Sequence, residues 1–182
     1  MMELELRLEQ PEDYRETEYV VREAFWNHYS PGCDEHYLTH IMRQCQNFLP
    51  ELDFVAVHNG KIVGSILYVR STLRGDDGTD RTVLGLGPIS VLPAYQHMGI
   101  GGKLIAHTKQ VARKLGFQAI FLYGDPDYYT RHGFIPAQQL QIRTPDNLYA
   151  AALQVCPLYK DALADSKGRY IEDAIYTVNP SE

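Results

Sequence analysis

Apolar residues recur along this chain with two different periods. Leu4, Leu6 and Leu8 alternate with charged residues, which predicts a half-buried first strand. Pro11 then opens a stretch in which Val20, Val21, Ala24 and Phe25 share one helical face. A second helix is predicted after Asp34, with Tyr37, Leu38, Ile41, Met42 and Cys45 as its apolar stripe. The period then turns extended. Phe54–His58 and Lys61–Thr72 flank Asn59-Gly60, the dipeptide that favours a type I′ hairpin turn. Asp76-Asp77-Gly78 marks a second turn leading into Arg81–Leu92, so three strands should form an antiparallel meander. Gly85, Gly87 and Pro88 interrupt the third strand and predict a bulge or a close approach to its backbone.

Helical spacing returns after Gly99–Gly102, with Leu104, Ile105, Thr108, Val111, Ala112 and Leu115 on one face and Gly116 as the stop. Ala119–Tyr123 reads as a buried strand, followed by a short helical turn near Tyr128–His132. A further strand is predicted around Ile171–Val178. No repeat or linker divides the chain, which predicts a single α+β domain over residues 1–182.

Charge narrows the possible partners. Lys and Arg number 17 and Asp and Glu 23, a net −6, which repels a phosphate backbone and argues against a general nucleic-acid binder. The same balance suits a cationic substrate such as an amine, and it also serves solubility. Apolar runs such as Val63–Val69 fall far short of the ~20 residues a membrane span needs, so no membrane partner is expected. Met1–Gln10 carries Glu3, Glu5 and Glu9 and no apolar core of a signal peptide, which makes the cytoplasm the expected location.

Several polar groups invite a reading and are set aside. Cys33, Cys45 and Cys156 are odd in number and widely spaced, which suits neither a zinc site nor a disulfide framework. His28, Cys33, His36 and His40 cluster in sequence but lack the Glu of a His-Glu-x-x-His site, so no metal is expected. They decorate a helix or contribute to an acceptor-pocket wall. Arg74-Gly75-Asp76 is explained by turn chemistry. Phe25, Trp26 and Tyr29 are expected to pack in the core, the alternative being the lining of an acceptor site.

The segment Leu86–Leu104 carries the chemistry. A strand ends, Pro93 prevents its continuation, and glycines open a long amphipathic helix. The first amides of such a helix lack intrahelical acceptors and sit at the positive end of its dipole. Glycines let a ligand reach that backbone, and the combination binds phosphate. Lys103 adds a point charge, and His97 faces phosphate or solvent. A Walker A loop is excluded, because His97 and Leu104 stand where its first Gly and its Ser or Thr belong. A dinucleotide fingerprint is excluded too: Leu104 replaces its third Gly, and Ala119 stands near the position of its acidic residue.

Gln96-His97-Met98-Gly99-Ile100-Gly101 resembles the Gln/Arg-x-x-Gly-x-Gly/Ala signature of the GCN5-related N-acetyltransferases, with Val91-x-Pro93 before it and Leu104-Ile105 after it. Tyr128-Tyr129-Thr130-Arg131-His132-Gly133-Phe134 looks like the same family's aromatic-Tyr-x-x-x-Gly-Phe segment. The likeness covers roughly Phe54–Phe134 well, and the segment beyond Pro136 is similar to the extension of a bacterial subgroup. It implies an α+β fold with a mixed, mostly antiparallel central sheet flanked by helices and a V-shaped split between the fourth and fifth strands.

The resemblance also implies a reaction: direct transfer of acetyl from acetyl-coenzyme A, the co-substrate, to an amine, with no metal. Gln96, His97, Met98, Gly99, Ile100, Gly101, Gly102 and Lys103 would hold the pyrophosphate. Main-chain groups of Ile89 and Val91 would pair with the pantetheine, which would lie between that strand and Ala119–Tyr123. An N–H near Ser90 would polarise the thioester carbonyl. Tyr129 takes the place of the family's general acid, since a phenol of pKa about 10 holds its proton at neutral pH. The bulged strand offers Gly85, Leu86 and Gly87 where many relatives carry an acidic base, which leaves Asp125, Asp127 and His132 as candidates. That departure keeps open a second reading, a catalytically weak module that binds or senses acyl-coenzyme A. The state of association is monomer or homodimer.

Overall fold

A computed structural model describes residues 2–178 of the chain. In chain order the strands are β1 (Glu5–Leu8), β2 (Phe54–His58), β3 (Lys61–Gly75), β4 (Asp80–Val91), β5 (Ala119–Tyr123), β6 (Ile135–Pro136), β7 (Ile142–Arg143), β8 (Leu153–Pro157) and β9 (Gly168–Ile171). The helices are α1 (Tyr14–Phe25), α2 (Glu35–Met42), α3 (Ile100–Lys114) and α4 (Pro126–Tyr129). Strand neighbours follow the order β1-β2-β3-β4-β5-β8-β6, with β9 pairing β3 and β7 pairing β9. Most pairings are antiparallel, and β4 with β5 is parallel. This is the mixed sheet that the sequence led us to expect.

The chain forms two compact units, one made of residues up to Tyr68, Gly87–Thr108 and the segment from Ala174, the other of Val69–Leu86 and Lys109–Asp173. In the first unit the Asn59-Gly60 hairpin forms as expected, both residues at positive φ (49° and 74°). Val20 of α1 packs with Val55, Val57 and Ile62. Phe54 instead meets the His107 ring of α3, edge to face at 4.6 Å. Adjacent strand residues point to opposite faces, so α1 and α3 flank opposite sides of this sheet. Burying each of these aliphatic side chains is worth about 1.5–3 kcal/mol.

The first unit also buries charge. Arg43, its side chain 5% exposed, donates to both oxygens of Glu9 at 3.0 and 2.9 Å and to Glu18 at 2.6 Å. Its guanidinium lies 4.0 Å over the Tyr14 ring. Beside it the buried carboxyl of Asp53 is pushed up to about 9, chiefly by loss of hydration and then by its hydrogen bond to Glu9.

In the second unit Phe121 and Tyr170 stack at 4.5 Å and anchor a core with Leu73, Val83, Leu153 and Val155. The parallel pairing of β4 with β5 joins Leu84 to Ile120 and Gly85 to Phe121, while β5 continues through Tyr123. Among the described residues this short pairing is where the two strands meet, in keeping with a split sheet. The last part of α3 is tied down by Arg113, whose Nε donates to Leu158 O at 2.7 Å.

Three expectations are corrected. The predicted strand Ile171–Val178 ends at Ile171, and Ala174–Thr177 is a 3₁₀ turn, because the acidic pair Glu172-Asp173 breaks the alternation and Tyr176 turns back to donate to Gly87 O at 3.0 Å. Leu115 is 45% exposed rather than packed, since α3 stops at Lys114. Trp26 and Tyr29 are 50% and 76% exposed, not core residues, because α1 ends at Phe25 and the following turn carries them outward.

Candidate active site

Local chain stereochemistry builds the loop after β4. Ser90 is buried and its hydroxyl lies 2.8 Å from that of Ser65 on β3, while Ile89 and Val91 on either side stay partly exposed. Pro93–Tyr95 makes a 3₁₀ turn that redirects the chain, and the Gln96 side chain reaches back to donate to Val91 O at 3.1 Å. His97 and Gly99 then adopt positive φ, 63° and 79°. That conformation costs a residue with a Cβ about 1–2 kcal/mol and costs glycine almost nothing. A Cβ built on Gly99 would meet nothing within 4 Å beyond the neighbouring residues.

The first helical bond of α3 runs from Lys103 N–H to Gly99 O at 3.0 Å. The amides of residues 99–102 therefore have no acceptor within the helix. Ile100 and Leu104 are buried and hold this end of α3 against β3 at Gly64, where an added Cβ would sit 3.2 Å from Ile100 Cγ2. Met98 and Lys103 are exposed beside the free amides. The result is a rigid, positively polarised helix end with a cation at its rim, suited to an anion of phosphate type.

Ile89, Ser90, Val91 and the whole run Gln96–Lys103 are thus brought together in the first unit. Tyr129 belongs to the second. It ends α4, where Asp125 caps the helix by accepting from the Asp127 amide at 3.0 Å. Tyr128 and Phe134 meet the Tyr129 ring edge-on at 4.9 and 5.6 Å. Gly133 closes the turn at φ 84°, and Lys109 Nζ donates to His132 O at 2.8 Å. Of the three base candidates, the Asp125 carboxylate is engaged as a cap. The His132 imidazole is held below its ordinary pKa by burial, then by the charges of Arg131 and Lys109.

Sequence reasoning missed four residues around these segments. Gly64 and Gly124 are single glycines whose role is contact, Ser65 is a buried partner of Ser90, and Tyr176 packs on Gly87. Only Gly64 carried a local signal, an isolated glycine inside a strand pattern. Cys33 and His36 do meet, Sγ to Nδ1 at 3.4 Å, while His40 pairs with Glu18 at 3.0 Å. No group of three metal-binding side chains gathers among the described residues. No helix among them is long and apolar enough to cross a membrane.

Comparison with known proteins bears on these features. The model of the acetyltransferase (GNAT) family matches residues 12–134. The chain is similar to YjhQ of Escherichia coli K12, described as an uncharacterized N-acetyltransferase, with 41% identity over 87 residues. That match covers 48% of each protein, about half the length of YjhQ. In fold it resembles the crystal structure of the Escherichia coli GNAT family N-acetyltransferase YhbS in complex with CoA, at TM-score 0.84 and 24% identity over 98% of this chain and 94% of that one. It also resembles a GNAT family acetyltransferase from Brucella melitensis in complex with acetyl-CoA, at TM-score 0.75 and 28% identity over 97% and 99% of the two chains.

Proposed function

Because this chain belongs to the acetyltransferase (GNAT) family, we propose that it moves an acetyl group from acetyl-coenzyme A to an amine by direct attack, working as one domain over residues 1–182 in the cytoplasm. The observation that carries this reading is the set of unpaired amides at the start of α3, opened by Gly99 at positive φ and edged by Lys103. The free amides of residues 99–102 and the Lys103 ammonium bind the pyrophosphate, with Gln96, His97 and Met98 as the loop that frames it. The acetyl-CoA held by the 28% identical Brucella protein supports the same ligand here.

Ile89 and Val91 offer their main chain to the pantetheine as an added strand would. A main-chain N–H near Ser90 stabilises the charge that develops on the thioester oxygen. The amine nitrogen bonds to the acetyl carbon, the carbon–sulfur bond breaks, and the amine gives up a proton to water, from which the Tyr129 phenolate regains its own after the transfer. Tyr129 gives its phenolic proton to the departing thiolate. A proton donor placed this way is worth about 10²–10⁴ in rate.

Calorimetric titration with acetyl-coenzyme A and with coenzyme A tests the loop. Thiol release with spermidine, kanamycin, a lysine peptide and a peptide with a free amino terminus tests the transfer. Micromolar binding with thiol release is the expected result. Binding without release on every amine favours a sensing module, and absence of binding overturns the assignment of the loop.

A further inference from the structure

A close contact of the second unit lies under the Tyr129 ring. A Cβ built on Gly124 would stand 2.5 Å from Tyr129 Cε2 and 3.0 Å from Cδ2, closer than a carbon pair can approach. The ring therefore rests directly on the Gly124 backbone. Two further rings, Tyr128 and Phe134, meet it edge-on.

The backbone under the ring is itself fixed. Gly124 N–H donates to Ala152 O at 2.9 Å, and Gly124 O accepts from Gln154 Nε2 at 3.1 Å. Gln154 is fully buried on β8, where it pairs with Leu122 at the end of β5. The main chain of Tyr129 is held as well, its N–H donating to Asp125 O at 3.1 Å and its carbonyl accepting from Phe134 N at 3.3 Å. With both backbones held, and with Leu122 Cδ1 farther off at 3.1 Å, an atom added at residue 124 presses first on the Tyr129 ring.

We propose that Gly124, held in place by Gln154, is a positioning residue: it is the seat that sets the direction in which Tyr129 presents its hydroxyl. The proposal rests on the reading of Tyr129 as the acid. Misplacing a reacting group by about 1 Å can cost as much as 10²-fold in rate, so a displaced ring loses much of what its hydroxyl provides.

The test is a double-mutant cycle on the full chain. It measures kcat for thiol release from acetyl-coenzyme A, using the fastest amine of the panel above, or water if none turns over. Coenzyme A affinity and thermal melting are read alongside. We expect Gly124→Ala to lower kcat by about tenfold, within the span of a misplaced general acid, and to change coenzyme A affinity by less than about twofold. In a Tyr129→Phe background the same change should have almost no further effect, because no hydroxyl is left to aim. Gln154→Met, which loosens Gly124 without adding an atom at the seat, should reproduce the pattern more weakly and covers the case in which Gly124→Ala does not fold. A wild-type kcat in Gly124→Ala, or losses that multiply with those of Tyr129→Phe, overturns the seat and leaves the acid standing. A wild-type kcat in Tyr129→Phe overturns the acid first, and the seat with it.

Discussion

In the loop from Gln96 to Lys103 the groups we propose to work are main-chain amides, and the side chains there are mostly exposed. In the turn from Asp125 to Phe134 the group we propose to work is one phenol, and the neighbouring rings and main chain pack it. The first region is made by consecutive residues. The second depends on Lys109 before it, on Gly124 and, through Gly124, on Gln154 thirty residues away. A backbone site tolerates change in what its side chains are but not in the dihedral angles they allow. A packed side-chain site is sensitive to volume at positions that never touch a substrate.

Four measurements break or sharpen this contrast. The largest effect on turnover is expected for Tyr129→Phe, a fall in kcat of about 10²-fold or more with coenzyme A affinity unchanged, the low end for a lost general acid. Steady-state kinetics with calorimetry checks it, and an unchanged kcat removes Tyr129 from that role. Gly99→Val comes next. A β-branched residue at φ 79° is strained by about 1–2 kcal/mol, so coenzyme A should bind roughly tenfold more weakly while the fold survives. Equal binding by the variant would mean that the loop conformation does not matter for the ligand.

Lys103→Ala should weaken coenzyme A binding by only about threefold to fivefold, an effect that salt removes, because the charge is exposed and screened. Titrations at low and high ionic strength separate it from the effect at Gly99. The smallest effect on turnover is expected at Asp53, whose consequence is stability. Its folded carboxyl holds a proton up to about pH 9 that the unfolded chain releases near its ordinary pKa. Stability should therefore fall as pH rises from about 4 to 9, and Asp53→Asn should flatten that slope in denaturant melts. A wild-type slope in the variant would refute the assignment.

The same contrast explains what was legible in the sequence. Phe54–His58 and Ala119–Tyr123 appear at the bounds their patterns give, because β-branched and aromatic runs end at strong turn signals there. The loop was legible because helix starts and glycines have local chemistry. The region after Phe134 was not. Its strands are two to five residues long and form only through distant partners, such as Ile135 with Val155 and Ile171 with Thr72. The exposure of Trp26 and Tyr29 was equally hidden, since composition favours burying such rings and only the end of α1 turns them outward. Gly124 stands before Asp125-Pro126, and nothing local announces the ring that rests on it.

The Glu9–Arg43–Glu18 arrangement has a consequence for how the first unit opens. Arg43 follows α2, Glu18 lies on α1 and Glu9 follows β1. Lifting α2 alone would leave the Glu9 carboxylate, whose side chain is fully buried, without its counter-charge, which is far costlier than fraying an exposed helix end. The helix is only eight residues long and would exchange its amides quickly in isolation. Tethered in this way, its amide protons should exchange with solvent together with those of α1 and β1, so that three separate segments behave as one cooperative block.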